Sequence, residues 1–318
     1  MDADILLTVV MPVYNGAGFL LRESIESILD QDFQKFEFII IDDGSTDESH
    51  AIISHYAACD QRIRVITNKN NCGIVAALNR GILAARSKLI ARMDCGDFSF
   101  PDRLTTQYEF MTTHPEHVLV SSQVVWTDDA DRILRTTTFP TDDVSIRQKL
   151  FTKDNVLMHP AVMFRLLPNM LYHERSCAED YDLWLRLSLS GKLHIIDRPL
   201  LKVRLNAQGT TYSRKIMQIR TVDAIHVEFR ERFLKKHGEY VYDVPVLGSL
   251  ENAQQDMFSY FTGRAMGFRR SSKVLYALCK LLSVLVCPVY LWFLLASCLR
   301  KLTVRRDALF RKYVTYGH

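Results

Sequence analysis

The sequence predicts an α/β protein with a doubly wound, mainly parallel sheet, followed by a helical, apolar and basic C-terminal extension. Three observations predict it. Strand-like and helix-like segments alternate through the first 93 residues. The strand-like runs are apolar throughout, which is the pattern of a parallel sheet covered on both faces. The charge also divides sharply along the chain. Residues 264–318 hold 11 Lys and Arg against one acid, Asp307, leaving 29 of the 40 basic and 35 of the 36 acidic residues before them. At 318 residues, 48% apolar and 24% charged, the chain can bury one large core plus an appendage. This composition excludes a disordered or collagen-like chain.

The elements follow in order. Residues 6–11 form an apolar strand stopped by Pro12, and Leu21, Ile25, Ile28 and Leu29 then recur at helical spacing. A second strand over 36–41 ends at Asp42 and Asp43, after which Ser45 and Glu48 have capping-box spacing for a helix. Residues 63–66 read as a third strand, 73–85 as a helix and 89–93 as a fourth strand, with Pro101 opening another helix. Past residue 115 the segments 118–126 and 132–139 read as longer, partly alternating strands, and 140–149 as a turn into a short helix. Leu183, Trp184 and Leu187 mark a helix whose first turn holds Glu179, Asp180 and Asp182. Trp126 and Trp184 are expected in the core, and the charge alternation over 228–236 on a solvated helix face.

In doubly wound sheets, ligands bind beyond the carboxyl ends of the strands near the switch in strand order. That rule gives residues 12–18, 42–45 and 94–97 one address. Converging carboxylates suit a ribose or base contact plus a divalent cation, and so a nucleotide carrying a diphosphate. Asp94 and Asp97 are equally readable as turn and cap residues, and the acids of 179–182 as partners of a helix dipole. Gly16-Ala17-Gly18 resembles a dinucleotide fingerprint, but Leu21 stands where its third glycine belongs. His50, His55, His114 and His117 lack ligand spacing with a nearby acid and read as surface residues.

Seven cysteines without a C-x-x-C pair point to free thiols in a reducing compartment. The apolar N-terminal run is too short, and lacks the basic flank, for a signal peptide. A basic tail suits nucleic acid or an anionic membrane surface, and the apolar content of this one selects the membrane. Residues 281–299 are free of charge, bounded by Lys280, Arg300 and Lys301, and carry Pro288 in their middle and Trp292 beyond it. As a helix the segment would be roughly 28 Å long, close to one hydrocarbon thickness. A spanning helix, an interfacial or re-entrant pair and a buried or dimer-forming helix all fit.

Residues 9–16 (VVMPVYNG), 40–47 (IIDDGSTD), 91–94 (ARMD), 101–104 (PDRL) and 178–187 (AEDYDLWLRL) together resemble the family 2 glycosyltransferases of the GT-A fold. The resemblance covers roughly residues 5–210. It implies inverting transfer of a sugar from a nucleotide-sugar, UDP favoured, to an acceptor hydroxyl. It also implies a glycosyltransferase domain over 1–212, with a nucleotide-sugar half at 1–115 and an acceptor half at 116–212. A helical extension over 213–263 and a membrane-associating tail over 264–318 follow. Carried over by residue, Pro12, Tyr14, Asp42 and Asp43 line the nucleoside pocket, and Gly73 and Arg92 approach the donor phosphates and sugar. Asp94 positions ribose and metal, Asp180 deprotonates the acceptor, and Glu179 holds it.

Two departures fall on the metal side. Gly96 stands where the family commonly has the metal-binding carboxylate, and Asn206 where it often has a His. The expectation is that Asp97 coordinates Mn²⁺ or Mg²⁺ beside Asp94, through a turn shifted by Gly96. The expected setting is the cytoplasmic face of a cell membrane, with a lipid-linked glycan acceptor, surface polysaccharide as product and no nucleic-acid partner. A nucleotide-sugar-binding scaffold of the same fold is the competing reading.

Overall fold

The computed structural model describes residues 5–18, 20–128, 130–205 and 215–237. The chain divides into a compact unit over Met1–Glu239 and a second over Tyr240–His318. The second unit lies outside the described residues, as do the readings of Asn206, of 281–299 and of Trp292.

The first half runs β1 (Leu7–Val13), α1 (Leu21–Leu29), β2 (Phe36–Asp42), α2 (Ser49–Cys59), β3 (Ile63–Thr67), α3 (Ile74–Leu83) and β4 (Leu89–Arg92). Then come β5 (Phe98–Ser99), α4 (Arg103–Thr113), β6 (His117–Thr127), β7 (Ile133–Thr136), α5 (Asp143–Phe151), a 3-10 turn (His159–Ala161), β8 (Met163–Arg165), α6 (Glu179–Ser188), β9 (Lys192–Arg204) and α7 (Lys215–His237). Among the described residues they form one nine-stranded sheet in the order β3-β2-β1-β4-β8-β6-β9-β5, with β7 beside β6. The first four strands of that order pair in parallel. β8 joins antiparallel between β4 and β6, and β6 pairs in parallel with β9.

Successive residues of the parallel strands enter opposite cores, which is why these strands are apolar without interruption. Val10, Ile39 and Ile41 pack with Val75, Leu78 and Ile82 of α3. Val9, Met11, Phe38 and Ile40 pack on the other face with Leu21, Ile25 and Ile28 of α1 and Ile52 and Ile53 of α2. Each such side chain contributes about 1.5–3 kcal/mol on burial, so the sheet is fixed from both sides. The chain winds outward from β1 to β3 and then crosses to β4 on the other flank of β1. The switch point therefore lies between β1 and β4, where a ligand crevice is expected.

Local readings needed correction. The Ser45–Glu48 capping box does not form: α2 starts at Ser49, Glu48 makes no side-chain cap bond, and the Ser45 hydroxyl accepts from the Asn15 N–H at 3.1 Å. The loop contact is available to Ser45 because residues 14–17 fold back onto 45–49. β7 is exposed along its whole length, and Trp126 is only half-buried, with Arg135 over its ring, whereas Trp184 is fully buried. On α7, Ile225 and Phe229 join the core and the half-exposed Glu228 pairs with Arg175, while the side chains of 230–236, which carry the rest of the charge alternation, lie outside the described residues.

Candidate active site

The loops leaving β1 and β2 are stitched together by side chains at 45–49. Besides Ser45, the Ser49 hydroxyl accepts from Gly16 N–H at 2.8 Å, Asp47 accepts from Ala17 N–H at 3.0 Å, and Asn15 Oδ1 accepts from Thr46 N–H at 2.8 Å. Tyr14 stands half-exposed on this platform and Pro12 lies partly buried at the end of β1. Asp42 is buried, accepting from Ser45 N–H at 3.0 Å and sitting 2.9 Å from His50 Nδ1. His50 is exposed as expected, but it does have an acid partner, supplied by the strand before its own helix. His117 also departs from the surface reading, because its ring is mostly covered and packs edge-on to Phe110.

Asp43 gathers the loop before α3. Its oxygens accept from Asn68 Nδ2 at 2.5 Å, Cys72 N–H at 3.0 Å and Gly73 N–H at 2.9 Å. Gly44 makes this possible: at φ 71° it lies against the same loop, and a β-carbon there would come 2.5 Å from the Asn70 carbonyl carbon. Gly73, the residue before α3, thereby has its backbone fixed beside Asp43.

At the end of β4 the sequence places unusually many buried charges. Arg92 is 2% exposed and ion-paired with Asp94, while its Nε has no hydrogen-bond partner among the described residues. Arg103 of α4 is fully buried; it donates to the Arg92 carbonyl at 2.6 Å and to Gln107 at 3.1 Å. Burial, then the neighbouring Arg92 charge, lowers the Arg103 pKa to about 9. This packing gives the Pro-Asp-Arg segment a structural role under the β4 terminus. Gly96, at φ 101°, turns the chain so that Asp97 points inward, where it accepts from Arg204 N–H at 3.2 Å. Burial and the charge of Asp94 hold the Asp97 carboxyl well above the usual range.

The second cluster sits at the start of α6. Asp180 accepts from Tyr181 N–H at 2.8 Å and from Asn155 Nδ2 at 2.9 Å. Burial and then Glu179 raise its pKa to about 6, against the pull of Arg92. The Arg92 charge is thus felt by Asp94, Asp97 and Asp180, as well as by His159 and Tyr172, which share a 2.8 Å hydrogen bond. Arg92 and the Tyr172 hydroxyl both lie close enough to interact electrostatically with Asp94 on one side and Asp180 on the other. Asp182, by contrast, is structural: it is buried and paired with His173, Arg175 and Arg186 at 2.7–3.0 Å.

Asn155, His159 and Tyr172 are not among the residues singled out from the sequence. They lie in a largely apolar stretch, 155–172, where no local motif marks the isolated polar side chains as parts of a site. For a cation, the fit rests on Asp94 and Asp97. Asp97 is raised first by its burial and then by the neighbouring Asp94 charge, and a carboxyl pair of this kind suits a hard cation that completes its shell with water and diphosphate oxygens. No group of three or more His, Cys, Asp or Glu residues among the described residues could hold a metal by itself.

The model of the glycosyl transferase family 2 domain matches residues 8–178, more than half of the chain. An uncharacterised glycosyltransferase of Methanocaldococcus jannaschii is 34% identical over 216 residues, covering 66% of this chain and 74% of its own. Among solved structures, TarS 1–349 of S. aureus in complex with UDP-GlcNAc superposes with a TM-score of 0.56 at 17% identity, covering 86% of this chain and 90% of that one. The mannosyltransferase PcManGT of Pyrobaculum calidifontis, in complex with GDP-Man and Mn²⁺, gives 0.57 at 16% identity, covering 94% and 88%. At those identities the structures speak for the fold. With the family match, the strand order and the grouping of motif residues at one sheet edge, the chain belongs to glycosyl transferase family 2 and is a glycosyltransferase of the GT-A fold.

Proposed function

We propose that this glycosyltransferase inverts the anomeric centre as it moves a sugar from a nucleotide-sugar, UDP favoured, to an acceptor hydroxyl, with Asp180 as the base. The observation that carries the reading is Asp180 itself: a partly buried carboxylate with pKa near 6, aimed by two hydrogen bonds and electrostatically coupled to Arg92. Among the described residues each oxygen accepts one bond, which leaves capacity for the acceptor hydroxyl. Asp180 takes the hydroxyl proton as its oxygen attacks the anomeric carbon, and the bond to the nucleoside diphosphate breaks on the opposite face. Glu179 holds the acceptor. Pro12, Tyr14, Asp42 and Asp43 line the nucleoside site, with Gly73 and Arg92 toward diphosphate and sugar. The neighbours solved with UDP-GlcNAc and GDP-Man support this donor class.

Asp94 and Asp97 would hold Mn²⁺ or Mg²⁺, which supplies compensation for the charge growing on the leaving diphosphate. We assign the domain to 1–212, the helical extension to 213–263 and the membrane-surface contact to 264–318. The acceptor is then a lipid-linked glycan at the cytoplasmic membrane face, in surface polysaccharide synthesis. Among the described residues no helix is long and apolar enough to cross a membrane.

Asp180→Asn tests the reading. Turnover of a UDP-sugar panel onto glycan acceptors should fall about 10²–10⁴-fold, with donor affinity unchanged by calorimetry. Because the base must be ionised, wild-type kcat should rise with pH through about 6 and then level. Undiminished turnover by the variant overturns the assignment.

A further inference from the structure

Asn155 lies in the loop between α5 and the 3-10 turn, and its two amide atoms face two ways. Nδ2 donates to Asp180 Oδ2 at 2.9 Å, and Oδ1 accepts from Leu157 N–H at 3.3 Å, which fixes the plane of the amide. Val156 and Leu157 beside it are 2% and 1% exposed, so the loop is anchored in the core directly after Asn155. It is also held from the far side. Lys153 pairs with Asp223 of α7 at 2.6 Å, the His226 ring lies 2.9 Å from the Phe151 carbonyl oxygen, and the Phe151 and Phe229 rings are 5.9 Å apart. Tyr181 Oη, one residue past Asp180, donates to the Leu150 carbonyl at 2.6 Å. The end of α5, the start of α6 and the middle of α7 are therefore joined through residues 150–155.

We propose that Asn155 is a positioning residue for the transfer reaction: it aims the Asp180 carboxylate at the acceptor, and α7 braces the loop that carries it. This rests on the reading of Asp180 as the base. A freely rotating carboxylate would present either face to the acceptor. Here Tyr181 N–H holds one oxygen and Asn155 the other, so the plane is set before the acceptor arrives. The charged or titratable groups acting on Asp180 are Glu179 on its own helix, Arg92 from β4 and Tyr172 from the loop before α6. Asn155 is the neutral donor among them, so it stabilises the ionised form without adding a charge that would compete for the donor phosphates.

The test uses the full chain with Asn155→Ala, Asn155→Asp, Asp180→Asn and the Asn155→Ala/Asp180→Asn double variant, each measured for donor Kd and for kcat against pH. For Asn155→Ala we expect unchanged donor Kd, a plateau kcat lowered roughly tenfold, and an acid limb moved up by roughly one pH unit. Asn155→Asp keeps an acceptor for Leu157 N–H, so the loop retains its own bond, and a second carboxyl beside Asp180 should move the limb further up. The double variant should be no worse than Asp180→Asn alone. If both Asn155 variants keep the wild-type limb while Asp180→Asn is inactive, Asp180 is the base and Asn155 does not position it. If Asp180→Asn stays active, the base assignment fails and this inference fails with it.

Discussion

At Asp180 the raised proton affinity acts in opposite directions on turnover and on stability. A carboxyl whose folded-state pKa lies near 6, above the ordinary 3.8, costs the fold nothing below pH 3.8 and destabilises it increasingly as pH rises through about 6. Asp180→Asn should therefore melt a few degrees higher than wild type at pH 8, with the gain shrinking toward zero as the pH falls below 4. Calorimetric melting across that range reads it. Strain of this kind, held where the chemistry is proposed, is a common trade of stability for activity. Asp97 poses the complementary case, an acid raised by burial and by Asp94. Asp97→Ala should abolish the Mn²⁺ response of turnover and weaken donor binding in Mn²⁺ at least about tenfold, if its charge serves a cation. An unchanged Mn²⁺ response would reduce Asp97 to an acceptor for Arg204 N–H.

Among the elements, the loop between β3 and α3 depends on contacts made from a different strand. Asp43, at the end of β2, supplies its acceptors and Gly44 supplies the space. Gly44→Ala adds a methyl group at positive φ against the Asn70 backbone, so the loop must withdraw from Asp43. We expect a loss of about 1–3 kcal/mol in stability and weaker nucleotide binding, measured by denaturant titration and by UDP calorimetry. The Asp-Asp-Gly-Ser run was legible as a strand terminus facing a ligand. Its use as a clasp for residues 68–73 was not, since the partner lies some 25 residues downstream and nothing local marks it. The capping box failed for the same reason, because Ser45 found a partner 30 residues upstream.

For the molecule as a whole, the charge asymmetry makes the strongest demand. If residues 264–318 hold the enzyme to an anionic bilayer, deleting them should release the protein into the soluble fraction and abolish its sedimentation with phosphatidylglycerol vesicles at low salt. Donor binding should survive, because the family match ends at residue 178 and the described site lies before residue 205. Continued pelleting of the shortened protein would refute the anchor.

The sequence by itself determined the strand and helix alternation, the two-sided burial of the sheet and the five motifs, because apolar periodicity and turn chemistry are local properties. It also determined which loops meet, since parallel strands in a doubly wound sheet bring their carboxyl ends to one edge. Only the tertiary structure decided what each acid does there. Asp182 became an ion-pair centre, Asp42 a partner of His50, and Asp180 a carboxylate set between Tyr181 N–H and Asn155. A carboxylate's role is fixed by its desolvation and by the donors that reach it, and those arrive from residues distant in the chain.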